Sequence, residues 1–263
     1  MGLSTTIQLR ENCLDYRTLV RPQRVLETLT RENFQHAEDF FFRSVHLGTD
    51  CWAFIATYLL RKALVSAEMH EWNRAAIMIT QASRIFNYLG DHVMMLTHMV
   101  LRDYLDLKVE IEGTSGEGSV LVKSFKSHVA ALLFPLYQGV CLSDGEEMSS
   151  NIDELCSDAF RDGLLLIYSS PEVYPALYSY AKALETIESS LLGGFYYKHF
   201  MLANNVIGSK AKGTMNKSVQ ALRSTYETPC FPGIHESQRH QCSKCFGRLI
   251  LISQFFSSLS FVI

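Results

Sequence analysis

The sequence predicts an all-α protein, with one helical domain over residues 1–228 and a C-terminal tail over residues 229–263. Of its 263 residues, 48% are hydrophobic and 19% are charged, which is the balance of a globular chain with a large core. Only 15 glycines and 6 prolines interrupt the chain, and this scarcity favours long helices over many short strands. Apolar residues also recur at steps of three and four along most of the domain, as they do in amphipathic helices.

Three helices are predicted in the first part of the chain. Asn33 is the predicted cap of a long amphipathic helix that reaches about residue 68. A second helix starts near Glu71 and ends at Gly90, because glycine is common just beyond a helix end. Asp91 then caps a third helix, which runs to about residue 105.

The pattern changes in the middle of the chain. Residues 107–112 alternate apolar and polar side chains, which by pattern alone favours a short strand, and residues 113–119 form a loop. Residues 120–137 have helical spacing, although Pro135 should end or kink the helix. Residues 139–151 are polar and predict a second loop.

Four more helices are predicted in the rest of the domain, and one of them contains His199. They are predicted at about 151–168, 171–187, 188–207 and 216–227. Pro171 stands where first-turn prolines are tolerated. Helical spacing over 193–207 places His199 on a buried face, and the helix should end at Gly208.

Charge and composition narrow the choice of partners. The formal net charge of −3 gives no electrostatic reason to expect nucleic acid or an anionic membrane as a partner. The apolar stretch near the C-terminus is short and rich in serine, so we expect no membrane span there. The 7 cysteines are scattered, and no signal-peptide pattern stands at residues 1–8, so we expect reduced thiols in a cytoplasmic protein.

Two histidines lie on the apolar faces of predicted helices. His199 precedes a small, basic loop over 208–214, and this combination suits a metal ligand beside a pocket for an anionic group. His46 shares a helix face with Asp50, one turn away. On residue type alone, a hydrogen-bonded core residue is the favoured interpretation of each histidine.

Cys242 and Cys245 form a Cys-x-x-Cys pair, with His235 and His240 nearby. Four such side chains are a possible zinc site, but the spacing is not that of a standard finger and no second pair exists. Reduced surface thiols are the alternative interpretation of the same residues.

Three separated segments resemble the tryptophan 2,3-dioxygenase family, and they occur in the family's order. They are the segment 42–52 with His46, Asp50 and Trp52, the segment 96–119, and the segment from His199 through Val206-Ile207-Gly208-Ser209-Lys210 to Gly213-Thr214. The resemblance implies an all-α domain of the tryptophan/indoleamine dioxygenase type, with haem b between helices. It also implies a homo-oligomer, since the family forms tetramers.

The resemblance implies a role for each matching residue. His199 would be the axial ligand of the haem iron, with Ser115 and Gly116 in a loop beside the haem. His46 would face the iron from the substrate side and bind the indole nitrogen of the substrate. The aromatic ring of the substrate would pack against Phe42 and Tyr104. Lys108 and Thr214 would hold its carboxylate and its ammonium group.

This chain departs from the family's pattern at several positions. Lys108 replaces an arginine that forms a bidentate pair with the carboxylate, and lysine offers only a point charge. Gly118 replaces a glutamine, and residues 215–218 replace a run of small residues. The connection between Ser119 and His199 is also shorter than in the dioxygenase itself.

The resemblance implies a haem-dependent oxygenase that acts on an aromatic L-amino acid, with tryptophan or a derivative as the expected substrate. The product would be of the N-formylkynurenine type, formed by dioxygenation of the indole ring. Some relatives on this scaffold use peroxide to hydroxylate tyrosine in natural-product pathways, so peroxide remains an alternative oxidant. A non-catalytic helical scaffold is the second alternative.

Overall fold

The computed structural model describes residues 37–110, 119–141, 158–212 and 218–231, together with Glu27 and Ile234. Of these residues, 86% are helical and none lies in a strand, which confirms the predicted all-α fold. No helix within the described ranges is long and apolar enough to cross a membrane.

The structure describes nine α-helices within these ranges. They are α1 (Ala37–Glu68), α2 (Trp72–Met94), α3 (Leu101–Glu110), α4 (Val120–Ala131), α5 (Leu133–Cys141), α6 (Asp158–Ser169), α7 (Pro175–Ser189), α8 (Tyr197–Val206) and α9 (Arg223–Glu227). Short 3₁₀ turns precede α3 and α9, at Met95–His98 and Val219–Leu222. A π-helical segment, Ser190–Tyr196, joins α7 directly to α8.

The two longest of the described helices, α1 and α2, pack along one another, and most of the other described elements pack against one or both of them. Their interface is rich in alanine, and the fully buried residues include Ala53, Ala56 and Ala63 of α1 and Ala75 and Ala82 of α2. Small side chains let the two helix backbones approach closely. A larger residue of α2, Phe86, packs edge-on against Phe125 of α4.

The structure corrects the predicted boundary at Gly90. Helix α2 continues through Gly90 and Asp91 to Met94, whereas the sequence predicted a helix end and a new cap there. Gly90 is buried where the backbone of Gly194 crosses it, and a Cβ atom at Gly90 would lie 1.8 Å from the Gly194 carbonyl oxygen. The glycine is therefore needed for the close crossing of two backbones, and not for a turn.

The strand favoured by the alternation at 107–112 is also wrong as far as the described residues reach. Helix α3 extends to Glu110, and residues 111–112 lie outside the described ranges. Leu107 is buried and Tyr104 packs against the core one turn earlier, so the helical period decides which side chains face inward. An alternation of six residues is too short to exclude that period.

Two prolines set boundaries in the second half of the chain. The helix predicted for 120–137 is broken at Leu132 into α4 and α5, and Pro135 lies in the first turn of α5. The Leu132 carbonyl at this break accepts a hydrogen bond of 2.7 Å from the Tyr180 hydroxyl. Pro175 rather than Pro171 begins α7, because residues 171–174 form turns first.

The first part of the predicted tail packs on the helical core. Phe231 and Ile234 are fully buried, and the backbone amides of Cys230 and Phe231 donate to the buried Glu188 carboxylate. Residues 235–263, which include the predicted zinc candidates, lie outside the described residues.

Candidate functional site

The π-helical segment leads directly to His199. A π turn is wider than an α turn, and such turns occur frequently at functional sites. Here the segment contains Gly194, where a Cβ atom would lie 2.2 Å from the Asn87 Oδ1 atom of α2. The Asn87 amide also donates to the Ser190 hydroxyl at 3.1 Å. These contacts hold the start of α8, and with it His199, against α2.

His46 of α1 and His199 of α8 line the same cavity, which has a volume of about 170 Å³. The apolar part of the cavity wall is formed by Val45, Val93, Leu96, Val122, Phe195 and Leu202. The polar part contains the two histidines with Thr49, Asp50 and Ser119. The sequence therefore singled out two residues, far apart in the chain, that the fold brings to one cavity.

His46 is held in one tautomer by its own helix. Its Nδ1 atom donates a hydrogen bond of 2.8 Å to the Phe42 carbonyl oxygen, since a carbonyl can only accept. The Nε2 atom then carries the lone pair. Burial lowers the pKa of His46, although the bond to Phe42 and the charge of Asp50 act in the opposite direction. The imidazole is thus neutral at physiological pH and can act as an acceptor.

His199, like His46, is partly buried. Protein atoms surround its ring except where the ring borders the cavity, and this burial lowers its pKa to about 4, with His46 adding a smaller effect. The ring lies parallel to that of Phe195, with ring centroids 6.4 Å apart. Within the described ranges it forms no hydrogen bond. A neutral imidazole with free nitrogen lone-pair capacity is what a metal ligand requires.

Asp50 and Ser119 form the polar end of the cavity wall. The Ser119 hydroxyl donates to Asp50 Oδ1 at 2.7 Å, and the Ser119 Oγ atom accepts the Val122 amide at 3.4 Å as the N-cap of α4. This pair links α1 to the start of α4 beside His46. The sequence resemblance included Asp50 only as a spacing match, and Ser119 only as the last residue of a loop.

The other predicted site residues that the structure describes are not among the residues that line this cavity. The Phe42 ring contacts the His46 ring, with centroids 4.0 Å apart, and Tyr104 is a partly buried residue of α3 that packs against the core. Burial raises the pKa of the Tyr104 hydroxyl. Lys108 donates through Nζ to the Lys212 carbonyl oxygen at 2.5 Å. The ammonium group of Lys108 is thus bound to the loop that follows α8.

That loop begins as the sequence predicted. Helix α8 ends at Val206, and Gly208 follows in the left-handed region with φ of +90°. The Ala211 carbonyl then accepts the Val219 amide at 3.1 Å, and Lys212 and Ser218 form an isolated antiparallel bridge. Thr214 lies outside the described residues, as do Ser115 and Gly116, so their predicted roles stay predictions.

Sequence reasoning missed the apolar wall of the cavity. Val93, Leu96 and Val122 belong to helical stripes, and the period places them on inward faces. The same period holds for every core residue of these helices. No local signal could therefore distinguish a cavity wall from a closed core.

The chemistry of His199 would suit a ligand of haem iron, because its imidazole is neutral and forms no hydrogen bond within the described region. The volume of the cavity, about 170 Å³, is small for haem. Cofactor pockets usually measure roughly 300–1,000 Å³, so a whole porphyrin requires the walls of this cavity to move apart.

The fold and cavity together define a helical protein with two histidines facing one internal space. No protein-family model matches the chain, and no curated protein matches it significantly. The resemblance to the tryptophan 2,3-dioxygenase family therefore rests on the three sequence segments alone.

Proposed function

We propose that this chain is a haem-dependent oxygenase that acts on an aromatic L-amino acid, with tryptophan or a derivative as its substrate. One observation carries the proposal: His46 and His199, which the resemblance assigns to the two faces of a haem, line the same cavity. A cytoplasmic location and a homotetrameric state belong to the same proposal and rest on the resemblance.

In this proposal His199 would hold the haem iron. Its low pKa keeps the imidazole unprotonated at neutral pH, so no proton competes with the metal. Bound haem would supply the oxygen chemistry, and the protein would supply binding, orientation and a dry pocket. The apolar side chains Val93, Leu96 and Phe195 limit the access of water to this space.

His46 would orient the substrate through its Nε2 atom. An indole N–H is only a donor, and the hydrogen bond from Nδ1 to Phe42 leaves Nε2 as an acceptor. The lowered pKa of His46 preserves this acceptor, because an imidazolium would present a second N–H to the indole. Phe42 and Tyr104 remain the proposed packing partners of the substrate ring.

Lys108 and Thr214 remain the proposed partners of the carboxylate and ammonium groups. The bond between Lys108 and the Lys212 carbonyl supports only a coarser version of this role, in which Lys108 holds the loop that leads to Thr214. An ammonium group can serve a carbonyl and a carboxylate at once, since it has three donors.

A second candidate is a non-catalytic helical scaffold, and two observations favour it. The cavity is smaller than a porphyrin pocket, and the ammonium of Lys108 already has a partner on the protein. Haem binding separates the two candidates, because a scaffold has no need of the cofactor.

The test is turnover by the haem-loaded protein. L-tryptophan with a reductant and dioxygen should give a product that is heavier by two oxygen atoms, detected by mass spectrometry. His46→Ala should lower kcat/KM about 100-fold, because substrate orientation is lost, while the exposed His98→Ala should not change it. Conversion of L-tyrosine with peroxide would replace the dioxygenase interpretation by the hydroxylase. If the fully haem-loaded protein converts neither amino acid, the proposed enzyme function is wrong and the non-catalytic scaffold is the remaining candidate.

A further inference from the structure

His92 of α2 makes a hydrogen bond to the turn of α1 that carries His46. Its Nε2 atom lies 3.0 Å from the Val45 carbonyl oxygen. Because the carbonyl can only accept, Nε2 carries the proton and donates. The Thr49 hydroxyl donates to the same carbonyl at 2.9 Å. Val45 is the neighbour of His46, so this polar contact lies one residue from the cavity histidine.

The chain makes room for the His92 ring at Gly48. A Cβ atom at this position would lie 2.7 Å from His92 Nε2 and 3.1 Å from its Cε1 atom. Any larger residue at position 48 would push the ring away from the Val45 carbonyl. The glycine therefore belongs to the same arrangement as the hydrogen bond.

Two aromatic residues hold the His92 ring in its orientation. Tyr88 stacks on it at a centroid distance of 5.6 Å and an angle of 18°, and Trp52 meets Tyr88 edge-on at 5.2 Å. Trp52 belongs to α1 and Tyr88 to α2, so these contacts run between the same two helices as the hydrogen bond. Stacking limits rotation of the ring and keeps Nε2 aimed at Val45.

The two residues before His92 contact the chain close to the other histidine, His199. Asp91 forms an ion pair with Lys198, the neighbour of His199, and Gly90 lies against the backbone of Gly194 in the π-helical segment. Three consecutive residues of α2 thus contact the turn that carries His46 and the turn that carries His199. The Asp91 pair is exposed and contributes little energy. The partly buried hydrogen bond of His92 is therefore the stronger polar contact of the three residues.

We propose that His92 is the positioning residue for His46 and, through its hydrogen bond to the Val45 carbonyl, sets the spacing of His46 and His199 across the cavity. This inference rests on the proposed function for the meaning of that spacing. The hydrogen bond between His92 and Val45 is a property of the haem-free protein and can be tested there. His92 acts through the backbone of α1 and touches neither substrate nor cofactor in this role.

The test compares variants of His92 in the haem-free protein by NMR. Histidines labelled with ¹⁵N report the tautomer of each imidazole, and His46→Gln and His199→Gln assign the two signals. His92→Leu should shift the His46 signal towards a mixture of tautomers and leave His199 nearly unchanged. His92→Gln, whose amide can replace the Nε2 donor, should retain the wild-type His46 signal. Asp91→Asn should move neither signal.

A second variant covers the case in which His92→Leu does not fold. His92→Asn keeps a polar side chain that is too short to reach the Val45 carbonyl, so it should behave like His92→Leu. In haem-loaded protein, the dissociation constant for L-tryptophan should rise about tenfold in His92→Asn and stay unchanged in His92→Gln.

The outcomes separate this inference from the proposed function. A His46 signal that is the same in wild type and in folded His92→Leu or His92→Asn would overturn the positioning role. The same holds if His92→Gln shifts the signal as far as the shorter variants do. Failure to bind haem would count against the proposed function, while the tautomer measurement would still decide the role of His92.

Discussion

Two buried threonines of α1 differ in whether their hydroxyl groups form a hydrogen bond. The Thr49 hydroxyl donates to the Val45 carbonyl at 2.9 Å. The Thr57 hydroxyl is buried and has no hydrogen-bond partner within the described part of the chain. A buried hydroxyl without a partner loses its bonds to water and gains nothing in return, so Thr57 weakens the fold at this position.

Thr57→Val should therefore stabilise the protein by about 1 kcal/mol, because it removes an unpaired polar atom and keeps the shape of the side chain. Thr49→Val is the matched control on the same helix and should destabilise it by about 1 kcal/mol, since it breaks an existing bond. Urea unfolding at equilibrium measures both values. Equal destabilisation by the two substitutions would show that the Thr57 hydroxyl has a partner.

The sequence pointed to two histidines that the fold brings to one cavity, but not to the residues around them. His46 and His199 were singled out by family spacing, and both line the cavity. Thr49 and Ser119 were not predicted as cavity residues, because their positions depend on how α1 and α4 meet. The contact of Lys108 with Lys212 was equally invisible, since it joins two elements that are far apart in the chain.

At the scale of elements, the crossing of α2 and the π-helical segment holds the two halves of the site together. Gly90 and Gly194 meet there, and the structure gives no room for a side chain at either position. Gly193 is adjacent in the same segment and is exposed, and a Cβ atom added there would have no other atom within 4 Å. The neighbouring Gly193 and Gly194 therefore differ in whether a side chain can be added without a steric clash.

Gly90→Ala should destabilise the protein by about 3 kcal/mol, because the new methyl group collides with the Gly194 backbone and forces the elements apart. The gain in helix propensity of about 1 kcal/mol offsets only part of this cost. Gly193→Ala should be close to neutral. Thermal unfolding of both variants measures the difference, and a Gly90→Ala protein as stable as Gly193→Ala would contradict the close crossing.

The same glycine explains why the sequence misplaced an element boundary. Glycine followed by aspartate fits both a helix end and a helix start, so local rules favour a break at Gly90. The signal against a break is Gly194, which is far away in the chain, and no local window contains it. The predicted end of α8 at Gly208 was correct because a left-handed glycine after a helix is a local requirement.

At the scale of the whole molecule, the fold keeps the partly buried His199 neutral, and this reduces the stability of the protein at low pH. In the haem-free protein burial lowers the pKa of His199 to about 4, against about 6.5 for an exposed histidine. Between these values the unfolded chain binds the proton more readily than the folded chain does. The free energy of unfolding therefore falls as pH falls from 6.5 to 4.

The expected loss through His199 is on the order of 3 kcal/mol at pH 4, and it is absent above pH 6.5. His46 contributes in the same direction, because burial also lowers its pKa. Urea unfolding at pH 7 and pH 4.5 measures the effect, and His199→Leu should show a smaller dependence on pH than wild type. An identical dependence in both proteins would mean that His199 is not buried in the neutral form.

The central claim is that His199 holds haem in the cavity it shares with His46. The most direct measurement is a titration of the haem-free protein with haemin, followed by the Soret band. We expect saturation at one haem per chain for wild type and for the exposed-histidine control His98→Ala. We expect no stoichiometric binding by His199→Ala. A wild-type protein that takes up no haem, or a His199→Ala protein with an unchanged spectrum, would contradict the claim.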